Sequence, residues 1–206
     1  MILCIDIGNT SIAYSKWDGK KFSNINRVAT AKNELKISDI DSLTAIAISS
    51  VVPNLTNYYS DYFNAIDIKP FIVDHNNCKI NLVVDQPSEV GPDRICNAVG
   101  AQKKYGTPCI IIDFGSATTY DIIDEKGDFI GGAIAPGIDV SANYLIKKAA
   151  LLNEAIFQFP ENVIGKNTNT NLQSGIMYGG LDSVYGMIKR IMREMNNTKI
   201  QIILTG

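Results

Sequence analysis

Several residue types that build common functional sites are scarce in this chain of 206 residues. It has a single histidine, His75, and its four cysteines show neither CxxC pairing nor a spacing shared with that histidine. This pattern argues against a zinc site and favours reduced thiols in a cytoplasmic protein. The N-terminal apolar run is short and soon meets an acid, so it predicts neither a signal peptide nor a membrane span.

Charge is also nearly balanced. The net charge is -2, the pI is about 5.4, and basic residues form no patch, which argues against nucleic acid as a partner. Apolar residues make up 46% of the chain and charged residues 19%, which is enough apolar material for packed cores. The length suits two compact domains.

An internal repeat is the most informative feature that is present. Residues 3–11 are LCIDIGNTS and residues 110–118 are IIIDFGSAT, so that superposing Asp6 on Asp113 also superposes Gly8 on Gly115. Each copy is an apolar run ending in Asp-x-Gly, followed by a second strand candidate and a turn. Two such units half a chain apart predict a duplicated α/β fold. We place the domain boundary near 106–108, giving domains 1–107 and 108–206.

The segments between and after the repeats alternate between strand and helix patterns. Pro92 in a first turn and Gly106 past the end mark one helix clearly. GGAIAPG at 131–137 is interpreted as a Gly/Pro-rich loop. Strands are expected at 12–17, 43–52, 70–74, 119–123 and 200–204, and helices at 55–63, 92–105, 138–152 and 172–195.

The two Asp-x-Gly turns have the composition of a phosphate-binding site. Glycine permits a tight turn, successive N–H groups form an anion-binding concavity, and Thr10 and Ser11 add hydroxyl donors. The Asp6 carboxylate would repel phosphate on its own, but it could hold Mg²⁺ against phosphate. The alternative is a plain hairpin turn, in which Asp, Gly and Asn are common. Two copies at matched strand ends favour the phosphate site.

The motif GPDR at 91–94 opens the helix predicted at 92–105. Arg94 is permanently cationic and suited to bidentate capture of a carboxylate. Asp93 lies beside it in the first turn, where a carboxylate could act on a bound substrate. The plainer interpretation is that Asp93 only complements the helix dipole and that Arg94 is its surface companion.

The order of the motifs is more specific than any one of them. From Asp6 to Gly206 the chain contains DIGNT, GPDR, DFGSATT, GGAIAPG, GKNT…QSG and LTG, and this series resembles the type III pantothenate kinases. The paired turns also resemble the actin, hexokinase and Hsp70 superfamily. The resemblance implies duplicated actin-like domains with a nucleotide cleft between them. It further implies ATP-dependent phosphorylation of pantothenate to 4′-phosphopantothenate, the first step of coenzyme A biosynthesis.

The resemblance also implies roles for individual residues. Asp93 matches the proton acceptor, Asp113 matches a ligand of a monovalent cation (K⁺ or NH₄⁺), and Ser116 falls where the family usually has a threonine contacting ATP. The implied pantothenate-binding residues are Gly91, Pro92, Asp93, Arg94 and Thr168. The implied ATP-phosphate segment, with Asp6 close to Mg²⁺, is Asp6, Ile7, Gly8, Asn9, Thr10, Ser11, Ile12 and Ala13.

Two departures from the family pattern concern the substrate site and the end of the chain. Val84 stands where the family usually has a tyrosine touching the substrate, so one polar contact to pantothenate is lost. The family normally continues beyond LTG through a second glycine and a further segment, so we expect the second domain to be truncated at Gly206.

The predicted helix 172–195 carries several glycines, each costing about 1 kcal/mol relative to alanine inside a helix. That cost suggests close packing of another backbone, and with the family habit it implies a homodimer with Thr168 near the partner. Packing within one subunit is the alternative. The glycines are Gly175, Gly179, Gly180 and Gly186.

Three alternative functions compete with this interpretation. One is a sugar, acetate or polyphosphate kinase of the same superfamily, although GPDR and GKNT…QSG are not typical of those enzymes. A second is a non-catalytic regulator acting as a transcription accessory factor, against which the retention of Asp6, Asp93 and Asp113 argues. The third, an Hsp70-like or actin-like ATPase, would need a partner domain or filament surface for which the chain is short.

Overall fold

The computed structural model describes residues 1–31, 35–148 and 157–206. These residues form two compact units, Met1–Gly106 with Gly127–Gly131 and Thr107–Lys126 with Gly132–Gly206. Each unit contains one sheet with both parallel and antiparallel neighbours, so the predicted α/β class is confirmed. None of the helices in the described part of the chain is long and apolar enough to cross a membrane.

The sheet of the first unit has five strands in the order β3-β2-β1-β4-β5. β2 runs antiparallel to β1, while β4 and β5 continue the sheet in parallel on the other side. Because side chains alternate between faces, Leu3, Ile5 and Ile7 all point into one core. The strands are β1 Ile2–Ile7, β2 Ser11–Trp17, β3 Asn26–Ala29, β4 Ala45–Ser50 and β5 Phe71–Ile72.

Two helices of the first unit begin at prolines. α1 (Pro53–Asn64) buries Tyr59 and Phe63 in the same core as the odd-numbered residues of β1. α2 (Pro92–Tyr105) packs against β4. It ends at Gly106, whose φ of 84° is a conformation that glycine adopts without strain. Proline suits the first helical position because that N–H needs no partner within the helix.

The sheet of the second unit has four strands in the order β8-β7-β6-β9, within the described residues. Ile110, Ile112 and Tyr120 form its core with Ile188 and Ile200. The strands are β6 Cys109–Phe114, β7 Ala117–Ile123, β8 Phe129–Pro136 and β9 Gln201–Thr205, and the helices are α3 Ile138–Lys148 and α4 Thr168–Glu194.

Most of the predicted elements are confirmed, with shifted ends. The helix at 92–105 has the predicted bounds, while α4 begins four residues before the predicted start at Leu172. The predicted helix at 138–152 is found as far as Lys148, and residues 149–152 lie outside the described part. The loop predicted at 131–137 is wrong, because most of it belongs to β8. An edge strand tolerates Gly and Pro, since only one of its sides pairs.

Candidate active site

The first Asp-x-Gly turn joins β1 to β2 as a tight hairpin. The Gly8 N–H donates to the Ser11 carbonyl at 3.0 Å, and a Cβ added at Gly8 would lie 3.1 Å from that same oxygen. Thr30 stabilises the turn through two hydrogen bonds to its main chain. Its Oγ1 donates to the Gly8 carbonyl at 2.7 Å, and its N–H donates to the Thr10 carbonyl at 3.0 Å. The main chain of the turn is therefore held in one shape.

The eight residues predicted to bind ATP phosphates fall into two groups. Ile7 and Ile12 are 0% exposed and belong to the core, so they could reach a ligand only through their main chain. Asp6, Asn9 and Thr10 are exposed, and Gly8, Ser11 and Ala13 are partly so. Arg27 adds positive charge beside this turn, since its Nη1 donates to the Ser11 Oγ at 3.4 Å.

The charges of Asp6 and Asp93 both act on the thiol of Cys96. The Ser49 Oγ donates to the Asp6 Oδ1 at 2.9 Å, and Ser49 also hydrogen-bonds with the Cys96 thiol. The Cys96 side chain retains contact with solvent, yet the protein atoms around it desolvate the thiol. That burial is the main reason why the pKa of Cys96 rises to about 11, and the charges of Asp6 and Asp93 add to the rise. DIGNT and GPDR thus contribute to one polar site.

The carboxylate of Asp93 has a defined position at the start of α2. The Arg94 N–H donates to its Oδ1 at 2.8 Å. A Cβ on Gly91 would collide with the same oxygen, so the glycine of GPDR leaves the space that the carboxylate occupies. Asp93 is half-buried. This arrangement gives GPDR a geometric role in addition to any contact with substrate.

Arg94 lies against an aromatic ring that the sequence analysis did not identify. Its Cζ is 5.6 Å from the centroid of the Phe129 ring, within the range of a cation–π interaction. Leu82 forms a bridge with Phe129, and Val84 lies 3.9 Å from the position of a Cβ built on Gly131. The segment around Val84 is therefore anchored next to the residues that support Arg94.

The second Asp-x-Gly turn joins β6 to β7 and is approached by two other motifs. The Gly137 N–H donates to the Ser116 carbonyl at 3.1 Å, and a Cβ there would lie 2.8 Å from that oxygen. A Cβ on Gly206 would collide with the carbonyl oxygen of Phe114. The final glycines of GGAIAPG and LTG thus allow both segments to approach DFGSATT, beside the half-buried Asp113.

A second acid lies on the same face of the sheet as Asp113. Asp113 pairs with Thr119, and Asp121 follows two residues later in β7, so the alternation of side chains places them on one face. Asp121 is 0% exposed, and the Thr119 Oγ1 donates to its Oδ2 at 3.5 Å. Sequence reasoning missed Asp121, although a charged residue between apolar neighbours in a predicted strand was a visible signal.

Thr168 is the first residue of α4 and is exposed. The residues around it build the start of the helix. The Asn167 Oδ1 accepts from the Thr170 N–H at 2.9 Å, and the Thr170 Oγ1 accepts from the Asn167 N–H at 3.3 Å, which is a capping box. Ser174, which is buried, donates to the Val163 carbonyl. GKNT…QSG therefore fixes the helix start that presents Thr168.

The second unit also contains a cavity of about 600 Å³ between β7, α3 and α4. Such a volume is in the range of small-molecule sites. Most of its lining is apolar, and Gly180 closes one side by packing on Ile138. Its polar lining residues are Thr118, Tyr120, Ser141, Asn171 and Ser183.

Comparison with known proteins places these motifs in a family. Residues 2–190 match the family model for type III pantothenate kinases. The chain belongs to this family. A type III pantothenate kinase of Thermomicrobium roseum is 38% identical over 222 residues, which cover 100% of this chain and 85% of that relative. The resemblance inferred from the order of the motifs is thereby confirmed for the pantothenate kinase family.

Two solved structures share the fold of this pantothenate kinase family member. A Campylobacter jejuni protein described as a Baf family transcriptional activator covers 90% of this chain and 78% of its own, with TM-score 0.62 and 20% identity. A Sinorhizobium meliloti protein described as a 2-dehydro-3-deoxygalactonokinase covers 99% of this chain and 91% of its own, with TM-score 0.55 and 9% identity. At such identities the likeness concerns the fold alone, and the predicted actin-like α/β fold is confirmed.

Proposed function

We propose that this protein transfers the γ-phosphoryl group of ATP to pantothenate, giving 4′-phosphopantothenate and ADP as the first step of coenzyme A biosynthesis. Membership of the type III pantothenate kinase family supports this activity. The observation that carries it is the defined position of the Asp93 carboxylate at the start of α2, because this candidate general base lies in the same unit as the first Asp-x-Gly turn.

Asp93 is the residue proposed to accept the proton of the substrate hydroxyl. Its carboxylate is held by the Arg94 N–H and has room because residue 91 is glycine. Phosphoryl transfer requires little covalent chemistry from a protein, so orientation supplies much of the acceleration. The Arg94 guanidinium, partly buried against Phe129, would bind the carboxylate of pantothenate and orient its far hydroxyl.

Asp6 and the first turn are proposed to hold the phosphates of ATP together with Mg²⁺. The described residues contain no group of three or more His, Cys, Asp or Glu side chains that could hold a metal ion. This suits Mg²⁺, which commonly binds one or two carboxylates and completes its shell with phosphates and water. When bound, Mg²⁺ would neutralise charge on the phosphates. Ser116, exposed in the second turn, would add a hydroxyl contact to ATP.

Asp113 is proposed as the ligand of a monovalent cation, K⁺ or NH₄⁺. It is half-buried, and the register places Thr119 on one side of it and Thr205 on the other. Asp113 thus has one hydroxylated residue beside it on each of the two neighbouring strands. The expected consequence is higher activity in K⁺ or NH₄⁺ than in Na⁺.

A homodimer formed through α4 is part of the proposal. Gly175, Gly179 and Gly186 would each meet nothing within 4 Å if they carried a Cβ, whereas a Cβ on Gly180 would lie 3.0 Å from Ile138. The three open glycines are spaced four and seven residues apart, which places them on one helix face. Thr168, at the start of the same helix, is proposed to contact pantothenate.

Light scattering should give twice the mass of one chain, and the mass of one chain would contradict the dimer.

The test of the kinase activity is a coupled ADP-release assay with and without pantothenate, run in K⁺ and in Na⁺. We expect ADP release that depends on pantothenate and is faster in K⁺. Release with a sugar or acetate but not with pantothenate would indicate another kinase of the superfamily. Failure to consume ATP with any of these substrates would favour the non-catalytic regulator. Equal rates in both salts would contradict the Asp113 assignment. Cytoplasmic location stays a prediction.

A further inference from the structure

One hydroxyl stands directly opposite the acid of the first Asp-x-Gly turn. β1 and β4 run parallel, and their register pairs Asp6 with Ser49. Paired residues of neighbouring strands point to the same face of a sheet. The Ser49 Oγ is 2.9 Å from the Asp6 Oδ1 and donates to it. Ser49 is only 7% exposed, so its hydroxyl is fixed inside the protein while the carboxylate at the strand end reaches solvent.

The thiol of Cys96 also interacts with Ser49. Cys96 lies on α2 and hydrogen-bonds with Ser49. A serine hydroxyl has one proton and two acceptor lone pairs. Ser49 therefore interacts with both the Asp6 carboxylate and the Cys96 thiol.

The second repeat has a hydroxyl at the corresponding place. β6 and β9 also run parallel, and their register pairs Asp113 with Thr205. Both acids therefore have a hydroxylated residue opposite them on the parallel neighbour, although the two neighbours come from different parts of the chain. Because a hydroxylated residue is paired with both acids, a chance placement of a polar residue in a strand does not explain it.

We propose that Ser49 is a positioning residue that fixes the Asp6 carboxylate in the orientation needed to hold Mg²⁺ and the nucleotide phosphates. The inference rests on the proposed function. Mg²⁺ demands near-ideal octahedral geometry, so a carboxylate that rotates freely is a poorer partner for it. A hydrogen bond donated to an ionised carboxylate is short and strong, and it holds one rotamer of the side chain.

The experiment compares Ser49→Ala, Ser49→Thr and the wild type by calorimetric titration with a non-hydrolysable ATP analogue, with and without Mg²⁺. Loss of a hydrogen bond to a charged group should weaken Mg²⁺-dependent binding by about tenfold. Ser49→Thr restores a hydroxyl and should bind within about twofold of the wild type. Ser15→Ala is the matched control, because Ser15 is also 7% exposed and donates to the Ser23 carbonyl at 2.9 Å in the same unit.

Equal Mg²⁺-dependent affinity in Ser49→Ala and the wild type would overturn the inference. So would an equal loss of affinity with and without Mg²⁺, because a merely structural defect would not depend on the metal. If Ser49→Ala fails to fold, Ser49→Cys replaces it, because a thiol is only a weak hydrogen-bond donor. This variant should weaken Mg²⁺-dependent binding by about threefold or more, and wild-type affinity in Mg²⁺ would contradict the inference.

The same protein is also assayed for phosphorylation of pantothenate, which separates the two proposals. A wild type that phosphorylates pantothenate while Ser49→Ala binds normally contradicts the role of Ser49 alone. A wild type that binds no Mg²⁺-nucleotide contradicts both.

Discussion

Each sheet contains one strand that leads into an Asp-x-Gly turn. The two sheets differ in the packing around the parallel neighbour of that strand. β1 and β6 each have a following antiparallel partner and a later parallel partner, β4 or β9. The registers make Ile46 and Ile202 equivalent, because Ile46 pairs with Leu3 and Ile202 pairs with Ile110. Ile46 is 1% exposed, whereas Ile202 is 42% exposed.

The difference arises from the elements that pack on β4. Tyr59 and Phe63 of α1 share a core with Ile46, and β5 pairs with the outer side of β4. β9 is an edge strand among the described residues. By contrast, both acids have a hydroxylated residue opposite them. The repeated part of the fold is therefore the polar end of the strands.

The helices give a second contrast between the units. In the first unit α2 carries Asp93 at its start, and the charges of Asp93 and Asp6 both raise the pKa of Cys96. In the second unit the long helix α4 contributes Ile188 to the core and begins with a capping box. We therefore expect proton transfer to depend on the first unit and the cation effect to depend on the second.

The largest expected effect is that of Asp93→Asn. Loss of a general base should lower kcat by roughly 10²-fold or more, while the dissociation constant for ATP stays nearly unchanged. Steady-state kinetics and nucleotide titration measure the two quantities. Asp61→Asn, at an exposed position of α1, is the control and should behave like the wild type. Full activity of Asp93→Asn would remove this residue from the mechanism. It would also contradict the expectation that proton transfer depends on the first unit.

A smaller effect is expected for Gly91→Ala. The new Cβ would displace the Asp93 carboxylate, and a misplaced catalytic group should reduce kcat by about tenfold or more. The melting temperature should change little, because the atom in the way ends a side chain. Gly100→Ala, in the same helix with open space around it, is the control and should keep full activity. Equal kcat for both variants would show that GPDR does not position Asp93 in this way.

The smallest effects concern packing. Ile46→Val should lower the free energy of unfolding by about 1 kcal/mol, since Ile46 is buried. The same change at the exposed Ile202 should cost a few tenths, within about 0.5 kcal/mol of the wild type. Urea denaturation followed by fluorescence and circular dichroism measures both values. Equal losses at the two positions would contradict the contrast between β4 and β9.

Local sequence patterns predicted those parts of the fold that local physics determines. The Asp-x-Gly turns are bounded by apolar runs, and α2 is bounded by Pro92 and Gly106, so their positions follow from neighbouring residues. β8 was missed because its glycines and proline resemble a loop, and its own composition does not show that it pairs as an edge strand with the preceding strand β7.

The polar site was predicted only in part, because some of its contacts join distant segments of the chain. Asp6 and Asp93 were identified from their motifs, but their partners come from distant segments. Ser49 is 43 residues from Asp6, and within LTAIAISSVV it resembles an ordinary member of a buried strand. Phe129 meets Arg94 only after the chain has returned from the second unit. Such contacts depend on strand order and register, which composition and periodicity do not specify.

Direct detection of the product tests the central claim. The protein is incubated with ATP, Mg²⁺, K⁺ and pantothenate, and 4′-phosphopantothenate and ADP are quantified by mass spectrometry. We predict the two products in equal amounts, with little ADP when pantothenate is omitted. ADP without phosphopantothenate, or neither product, would contradict the assignment of this chain as a pantothenate kinase.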